Sequence, residues 1–502
     1  KQDLRNYAAR YYLSEAEIQN LLNSGRTYNY FTYANQVDQY QQHHQQAHFQ
    51  WSKNKWLWQS ALFHTRGAGY FEEQKLGAET FQYGLDSILI SSNGQPQWTQ
   101  EMDAVRRRWL DNNLTGFSGF IQRAWSNQHK VVFGISKMQY QGKHSGELIS
   151  ISPSPQYDYS TPYYFGESDK KDFNTYAQYH YTGEKLQWMI DLQYRGVSYK
   201  SQGTTNDLSQ YNFQDELHFF NPKMGATYQI NNQHQLAGFI GHLGKEPNRN
   251  DYVDHATKPL PEFMTDYELS WKWAPIKKIQ TNGDQAIEKT LVTFNTNLFW
   301  MQYKNQLVLT GALNDVGAPL RTNIPVSYRR GIEWEGHFVF ENNVSNLSFH
   351  TNLTWSQNQI QNFKETLYDY TDDGFAVQEI NHNATAIAFS PQWISGNTLE
   401  YIYKNHWGIS TQYKWVSEQY LDNTQDENKI ISAYHVNDWK LFYQWQQNSN
   451  RFEWSLWINN AGNQMYNSNG WTYSYIYGNK VNERFYYPQA GRNYLISFKI
   501  EI

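Results

Sequence analysis

The last twelve residues, GRNYLISFKIEI, alternate at period two until the chain ends. Tyr494, Ile496, Phe498, Ile500 and Ile502 fall on one face, and Leu495, Ser497, Lys499 and Glu501 on the other. Chain ends fray unless something ties them down, so a strand that reaches the terminus implies a sheet that uses it. The pattern recurs upstream. Leu186, Trp188, Ile190, Leu192 and Tyr194 alternate with Gln187, Met189, Asp191, Gln193 and Arg195. Leu347 to Ser356 and Trp407 to Trp415 alternate in the same way, one face apolar and the other rich in amides and charges.

The links between these segments alternate in length. SKNK (52 to 55), SNQH (126 to 129), TGEK (182 to 185), NNQH (231 to 234), NNVSN (342 to 346), KNH (404 to 406) and QNSN (447 to 450) are short and rich in turn formers. Residues 76 to 104, 151 to 171, 364 to 382, 418 to 437 and 460 to 490 make long connections. Strands that run up and down, with tight turns at one end and long loops at the other, build outer-membrane barrels. The clean alternations last about 9 to 11 residues, the length at which a tilted strand crosses hydrocarbon. Trp56, Trp58, Trp407 and Trp454 follow tight turns, and Tyr181 and Tyr403 precede them, which predicts an interfacial aromatic girdle. Soluble β-sandwiches and propellers also alternate. They have no reason to gather long loops at one end, and no repeat of about 40 residues is present.

Composition narrows the class. A mean hydropathy of -0.81 would suit a disordered chain if rings were scarce, yet 17% of the residues are aromatic. A net charge of -5 offers no basic face for nucleic acid. The absence of cysteine removes disulfides and thiolate metal sites. No apolar run approaches the roughly 18 residues of a transmembrane helix, and the opening KQDLRNYAARYY is no signal peptide, so the chain reads as a mature or partial product.

The expected fold is all-β: a transmembrane antiparallel β-barrel with about 17 strands in residues 35–502. Residues 1–34 read as an extracellular loop region. It holds a short helix, LSEAEIQNLLNSG, with Ser14 and Glu17 in capping-box spacing and Gly25 as its stop. Bacterial barrels have even strand numbers, and plugged ones have about 22, which places roughly five strands upstream of residue 1. Phe498, Ile500 and Ile502 would then face lipid on the strand that closes the barrel.

Several longer stretches resemble a known family. These are YANQVDQYQQHHQQAHF (33 to 49), FHTRGAGYFEE (63 to 73), FFNPKMGATYQ (219 to 229), GKEPNRNDY (244 to 252), NQLVLTGALNDVGAPLRTNIPVSYRRGIEWEG (305 to 336), YLDNT (420 to 424) and GRNYLISF. In order and spacing they resemble the C-terminal barrel of TonB-dependent outer-membrane receptors, particularly those of Bacteroidota. The resemblance implies a Gram-negative outer-membrane location and import of a scarce bulky nutrient, a siderophore-bound iron, cobalamin or a glycan. It also implies a partnership with the inner-membrane TonB complex. The plug and TonB box that begin such receptors are not in this chain. A structural or assembly barrel that binds surface lipoproteins or other outer-membrane proteins, and a plugless porin, are the rival readings.

Candidate binding residues lie in the loops. Lys245, Glu246, Arg249 and Asp251 open a long connection, where they either contact ligand or form salt bridges that pin the loop. Trp471 and Tyr473, with Tyr475 and Tyr477, either stack on a ligand or continue a strand above the membrane. Arg329 and Arg330 precede Glu333 and Glu335, which alternate inward. His44 and His48 share a strand face, but about 13 Å separates them at roughly 3.3 Å per residue, too far for one metal ion. Asp369, Asp372 and Asp373 lack a calcium-loop spacing. No resident metal or cofactor is expected, and no catalytic motif is found: G-x-S-x-G, H-E-x-x-H and P-loop are all missing.

Overall fold

The computed structural model describes residues 14–27, 33–92, 95–153, 161–254, 258–282, 285–313, 319–371 and 374–502. Seventeen strands form one antiparallel meander, each paired with the next along the wall. They are β1 (Val37–Lys53), β2 (Trp56–Glu79), β3 (Glu101–Ala124), β4 (His129–Ser152), β5 (Tyr164–Thr182), β6 (Leu186–Thr204), β7 (Gln210–Gln229), β8 (His234–Lys245) and β9 (Glu262–Asn282). The wall continues through β10 (Gln285–Leu313), β11 (Pro319–Asn342), β12 (Ser345–Thr371), β13 (Trp393–Tyr403), β14 (Trp407–Val416), β15 (Tyr434–Gln447), β16 (Asn450–Asn459) and β17 (Asn493–Glu501).

The seven short links all make tight turns at one end of this wall. At Asn54–Lys55 both residues have positive φ, 50° and 68°, and at Lys404–Asn405 the values are 50° and 59°. Paired left-handed residues match the twist of the flanking strands, which is why asparagine recurs there.

The wall is inside-out by the standards of a soluble protein. Asp191 is 6% exposed while its neighbours Ile190 and Leu192 are 36% and 48% exposed. Apolar side chains line the outer surface and polar ones the inner, as the alternation predicts for lipid outside and a wet lumen inside. Two rows of rings bracket the outer apolar band. Trp271, Trp273 and Phe294 stack near the tight turns, at 6.2 and 5.6 Å between centroids. Tyr267 and Trp300 meet at 5.9 Å nearer the loops. Six residues of β9 separate Trp273 from Tyr267, roughly 20 Å of strand.

Many strands outrun that band: β2, β3 and β4 each have 24 residues. Above it the outer face turns polar, with Arg66 3.3 Å from Asp111. The alternation in the sequence therefore marked only the lipid-crossing part of each strand.

At the near end of the chain, Ser14 caps a helix, α1 (Glu15–Ser24), through the reciprocal bonds with Glu17, and Gly25 ends it. In the distal loops a strand, Gly374–Ala386, pairs with the upper half of β12, and a hairpin of Asn467–Tyr477 and Asn479–Pro488 leans on β12 through Asp369 and Ile476. Asp372 and Asp373 lie outside the described residues. His44 and His48 bond Thr65 and Gln46, at 2.9 and 3.0 Å.

The wall does not close on itself among the described residues: β1 pairs only with β2, and β17 only with β16. The reason is parity. In a seventeen-strand meander the first and last strands run in the same direction, so they cannot complete an antiparallel ladder with each other.

Candidate functional site

The connection after β8 folds into the mouth of the wall instead of away from it. Asn248 caps a short helix, α2 (Arg249–Val253), and Asp251 completes the capping box. Ion pairs fix the segment on three sides. Glu246 accepts from Lys170 at 2.6 Å and from Arg195 at 2.7 and 2.8 Å, Arg195 also holding Asp172. Asp251 takes both arms of Arg321 from β11, at 2.9 and 2.5 Å. Asp215 accepts from Tyr252 at 2.7 Å and Lys258 at 2.8 Å, and Tyr252 stacks on Phe213 at 4.3 Å. Burial raises the Glu246 carboxyl, but the Arg195 and Lys170 bonds outweigh it and hold the group below the usual glutamate range. Burial and Asp215 push the Tyr252 hydroxyl upward.

This clamp places Arg249 against an inner wall of tyrosines. Gly142, Gly146 and Gly166 face inward, and a Cβ at any of them would collide with Tyr140, Tyr164 or Tyr211 respectively. Absent side chains thus let the rings lie flat along the sheet. The Arg249 guanidinium sits 5.0 Å from the Tyr211 ring centroid and donates to its hydroxyl at 2.9 Å. Its Nε is buried without a hydrogen-bond partner among the described residues. Arg108 leans on Tyr164, 5.9 Å from the ring and 3.3 Å from the hydroxyl. His144 lies within reach of both positive charges.

Three other cations at this end are neutralised, Arg106 by Glu73 at 2.5 Å and Arg195 and Arg321 as above. Arg108 and Arg249 have no carboxylate within ion-pair distance among the described residues. Two uncompensated guanidiniums, a histidine and a ring of phenols make a cradle for an anion that carries flat or oxygen-rich groups.

Of the residues singled out from sequence, Glu246 and Asp251 serve as anchors, and Arg249 is the one they present. They bond to other strands and not to one another. Lys245 is exposed and pairs with Glu262 at 3.2 Å across the β8–β9 hairpin. Trp471 and Tyr473 stand on the hairpin over β12, Trp471 stacked on Phe485 at 4.1 Å and on Tyr473 at 5.8 Å. They are thus attached to a different stretch of wall. Phe498, Ile500 and Ile502 are exposed on the outer surface, Phe498 packed on Trp454 at 4.6 Å. Arg108, His144 and the tyrosines were missed because four strands contribute them. The run Arg106 to Arg108 was the available signal, since at period two Arg106 and Arg108 share the inner face.

A family model described as TonB dependent receptor-like, beta-barrel, matches residues 2–461. No curated protein matches. Among solved structures, the ferric-catecholate import receptor Fiu of E. coli K12 is similar at a TM-score of 0.64 and 13% identity, over 96% of this chain and 67% of that one. The ferric preacinetobactin receptor BauA of Acinetobacter baumannii follows at 0.57 and 10%, over 91% and 62%. The ferric yersiniabactin uptake receptor FyuA of Yersinia pestis gives 0.56 and 13%, over 91% and 60%. The chain thus spans about three-fifths to two-thirds of these structures, whose likeness is one of fold.

Proposed function

This chain belongs to the TonB dependent receptor-like β-barrel family, and from that premise we propose that it is the barrel of an importer for an anionic metal chelate. It is a Gram-negative outer-membrane protein. The observation that carries the ligand class is the pair of uncompensated guanidiniums, Arg108 and Arg249, held among tyrosines inside the wall. Carboxylate or catecholate oxygens on a ferric complex would accept from both, while the flat phenols supply ring contact. A neutral glycan or cobalamin would leave both charges unmatched. The similar receptors for ferric catecholate, preacinetobactin and yersiniabactin support the same ligand class.

In this reading the ligand settles on the inner wall beneath the loops, and the inner-membrane TonB complex drives its release. The motif resemblance to Bacteroidota barrels supports that source. The test is binding of a ferric catecholate, ferric citrate and cobalamin to the purified receptor, followed by tryptophan quenching. Arg249→Gln and Arg108→Gln should each weaken the ferric chelates about tenfold, equivalent to about 1.4 kcal/mol. Unchanged chelate affinity in the double variant, or preferential binding of cobalamin, would overturn the anionic ligand. Steady ion conductance by the reconstituted receptor with no ligand response would favour the porin.

A further inference from the structure

The outer surface of β6 to β11 carries two recesses that meet at Trp300. The lower one, about 690 Å³, lies in the apolar band. It arises because a row of paired residues reads Trp188, Ala226, Gly238, Leu269, with two small side chains between two large ones. Leu186, Met224, Ile240, Tyr267 and Leu298 complete its walls. The space in front of Gly238 is open: a Cβ there would find its nearest neighbour 3.9 Å away. The notch sits two residues from the Tyr267–Trp300 belt and four from Trp273, so it belongs to the half of the band nearer the loops.

The upper recess, about 760 Å³, begins where the band ends. His242, Gln302, Lys304, Tyr328 and Arg330 line it, and no carboxylate does. Arg330 lies 5.2 Å from the Tyr328 ring and donates to Gln357 at 2.9 and 2.7 Å, a neutral partner that leaves its charge uncompensated. Lys304 is exposed beside it, without a carboxylate in ion-pair distance among the described residues. An apolar slot capped by two cations at the level of an aromatic belt matches one kind of molecule. Its chain needs hydrocarbon and its head carries negative oxygens.

We propose that this face holds a phosphorylated lipid of the outer leaflet, one acyl chain in the Gly238 notch and a phosphate between Lys304 and Arg330. The charge above, the dry slot below and their shared wall at Trp300 commit the site to a lipid; a free anion would leave the notch unused. Binding here is separate from ligand capture on the inner wall, because Arg330 points outward where Arg329 and Glu333 point inward.

Native mass spectrometry of the detergent-purified receptor, equilibrated with lipid A or with its dephosphorylated form, tests the site. The wild type should retain phosphorylated lipid A in preference to the other. Lys304→Gln with Arg330→Gln should abolish that preference and lower retention about tenfold. Gly238→Leu, which the open space accommodates, should lower retention of both forms, while heat-modifiable mobility reports that it still folds. Arg66→Gln, on a different part of the outer face, should change neither. Retention unaffected by both sets of variants would overturn the proposal. So would displacement of the preference by inorganic phosphate alone with the Gly238→Leu variant behaving as wild type.

Discussion

At the scale of single residues, the wall's polarity decides what a side chain costs. Leu192 on β6 faces outward, and Gln193 beside it faces inward, 3.2 Å from Asn221. A charge at the first position must be buried in hydrocarbon, about 2 to 4 kcal/mol for arginine near the midplane, while the second meets water and amides. Leu192→Arg should therefore lower the folded fraction in lipid vesicles steeply, and Gln193→Arg should leave it near wild type. The contrast repeats at the terminus. Phe498, packed on Trp454, should not tolerate aspartate, whereas Lys499, which is bonded to Glu501, should. Equal tolerance on the two faces, read from heat-modifiable mobility, would refute the outside-in assignment. Arg329 and Arg330 apply the same rule in miniature: adjacent in sequence, they serve opposite surfaces. In the sequence a pair of adjacent like residues does not declare its phase until a strand register fixes it.

Among elements, the connection after β8 is the one whose behaviour should depend on pH. Glu246 is a depressed carboxyl, so the stability it lends to the clamp is present above its ordinary pKa of 4.5 and is lost as pH falls through the lowered value. Below that window its proton removes the charge that Arg195 and Lys170 share, and α2 should loosen while the strands stay paired. Hydrogen exchange over residues 246 to 254 should accelerate there and not over β6 or β7. Glu246→Gln should produce the same local acceleration at neutral pH, at a cost of about 1 to 3 kcal/mol for a pair that is only partly buried. Uniform exchange in both conditions would mean that the clamp does not position Arg249. How much of this was legible follows from locality. The KEPNRND stretch announced charge at a loop entrance, and its NRND portion carries the capping spacing of Asn248 and Asp251. Its partners, Lys170, Arg195, Asp215 and Arg321, come from four other strands and carry no mark in a local window. Strand number, turn positions and the phase of the apolar face were legible because period two and turn chemistry are local properties. Strand lengths were not, since beyond the lipid band both faces are polar and the alternation fades.

For the whole molecule, parity is the strongest constraint. Lipid leaves no room for unpaired backbone, so the free edges of β1 and β17 must be satisfied in the membrane. Both strands run from the loop end to the turn end, and an all-antiparallel closure therefore needs an odd number of strands between them. The chain's lack of cysteine makes the geometry directly testable. Ser455 and Ser497 are opposite each other across β16 and β17, their hydroxyls 2.7 Å apart. Cysteines at those two positions should oxidise readily in outer membranes to an intramolecular disulfide. A pair made at Gln46 of β1 and Ser497 of β17 should not if closure is antiparallel throughout, since that closure would hold those edges at least two sheet spacings apart, roughly 10 Å, beyond the reach of a disulfide. Efficient cross-linking of the second pair would mean that β1 and β17 meet directly, in parallel, and that seventeen strands suffice. Failure of the first pair would instead dislodge β17 from the wall, and with it the assignment of Phe498 and Ile500 to the lipid surface.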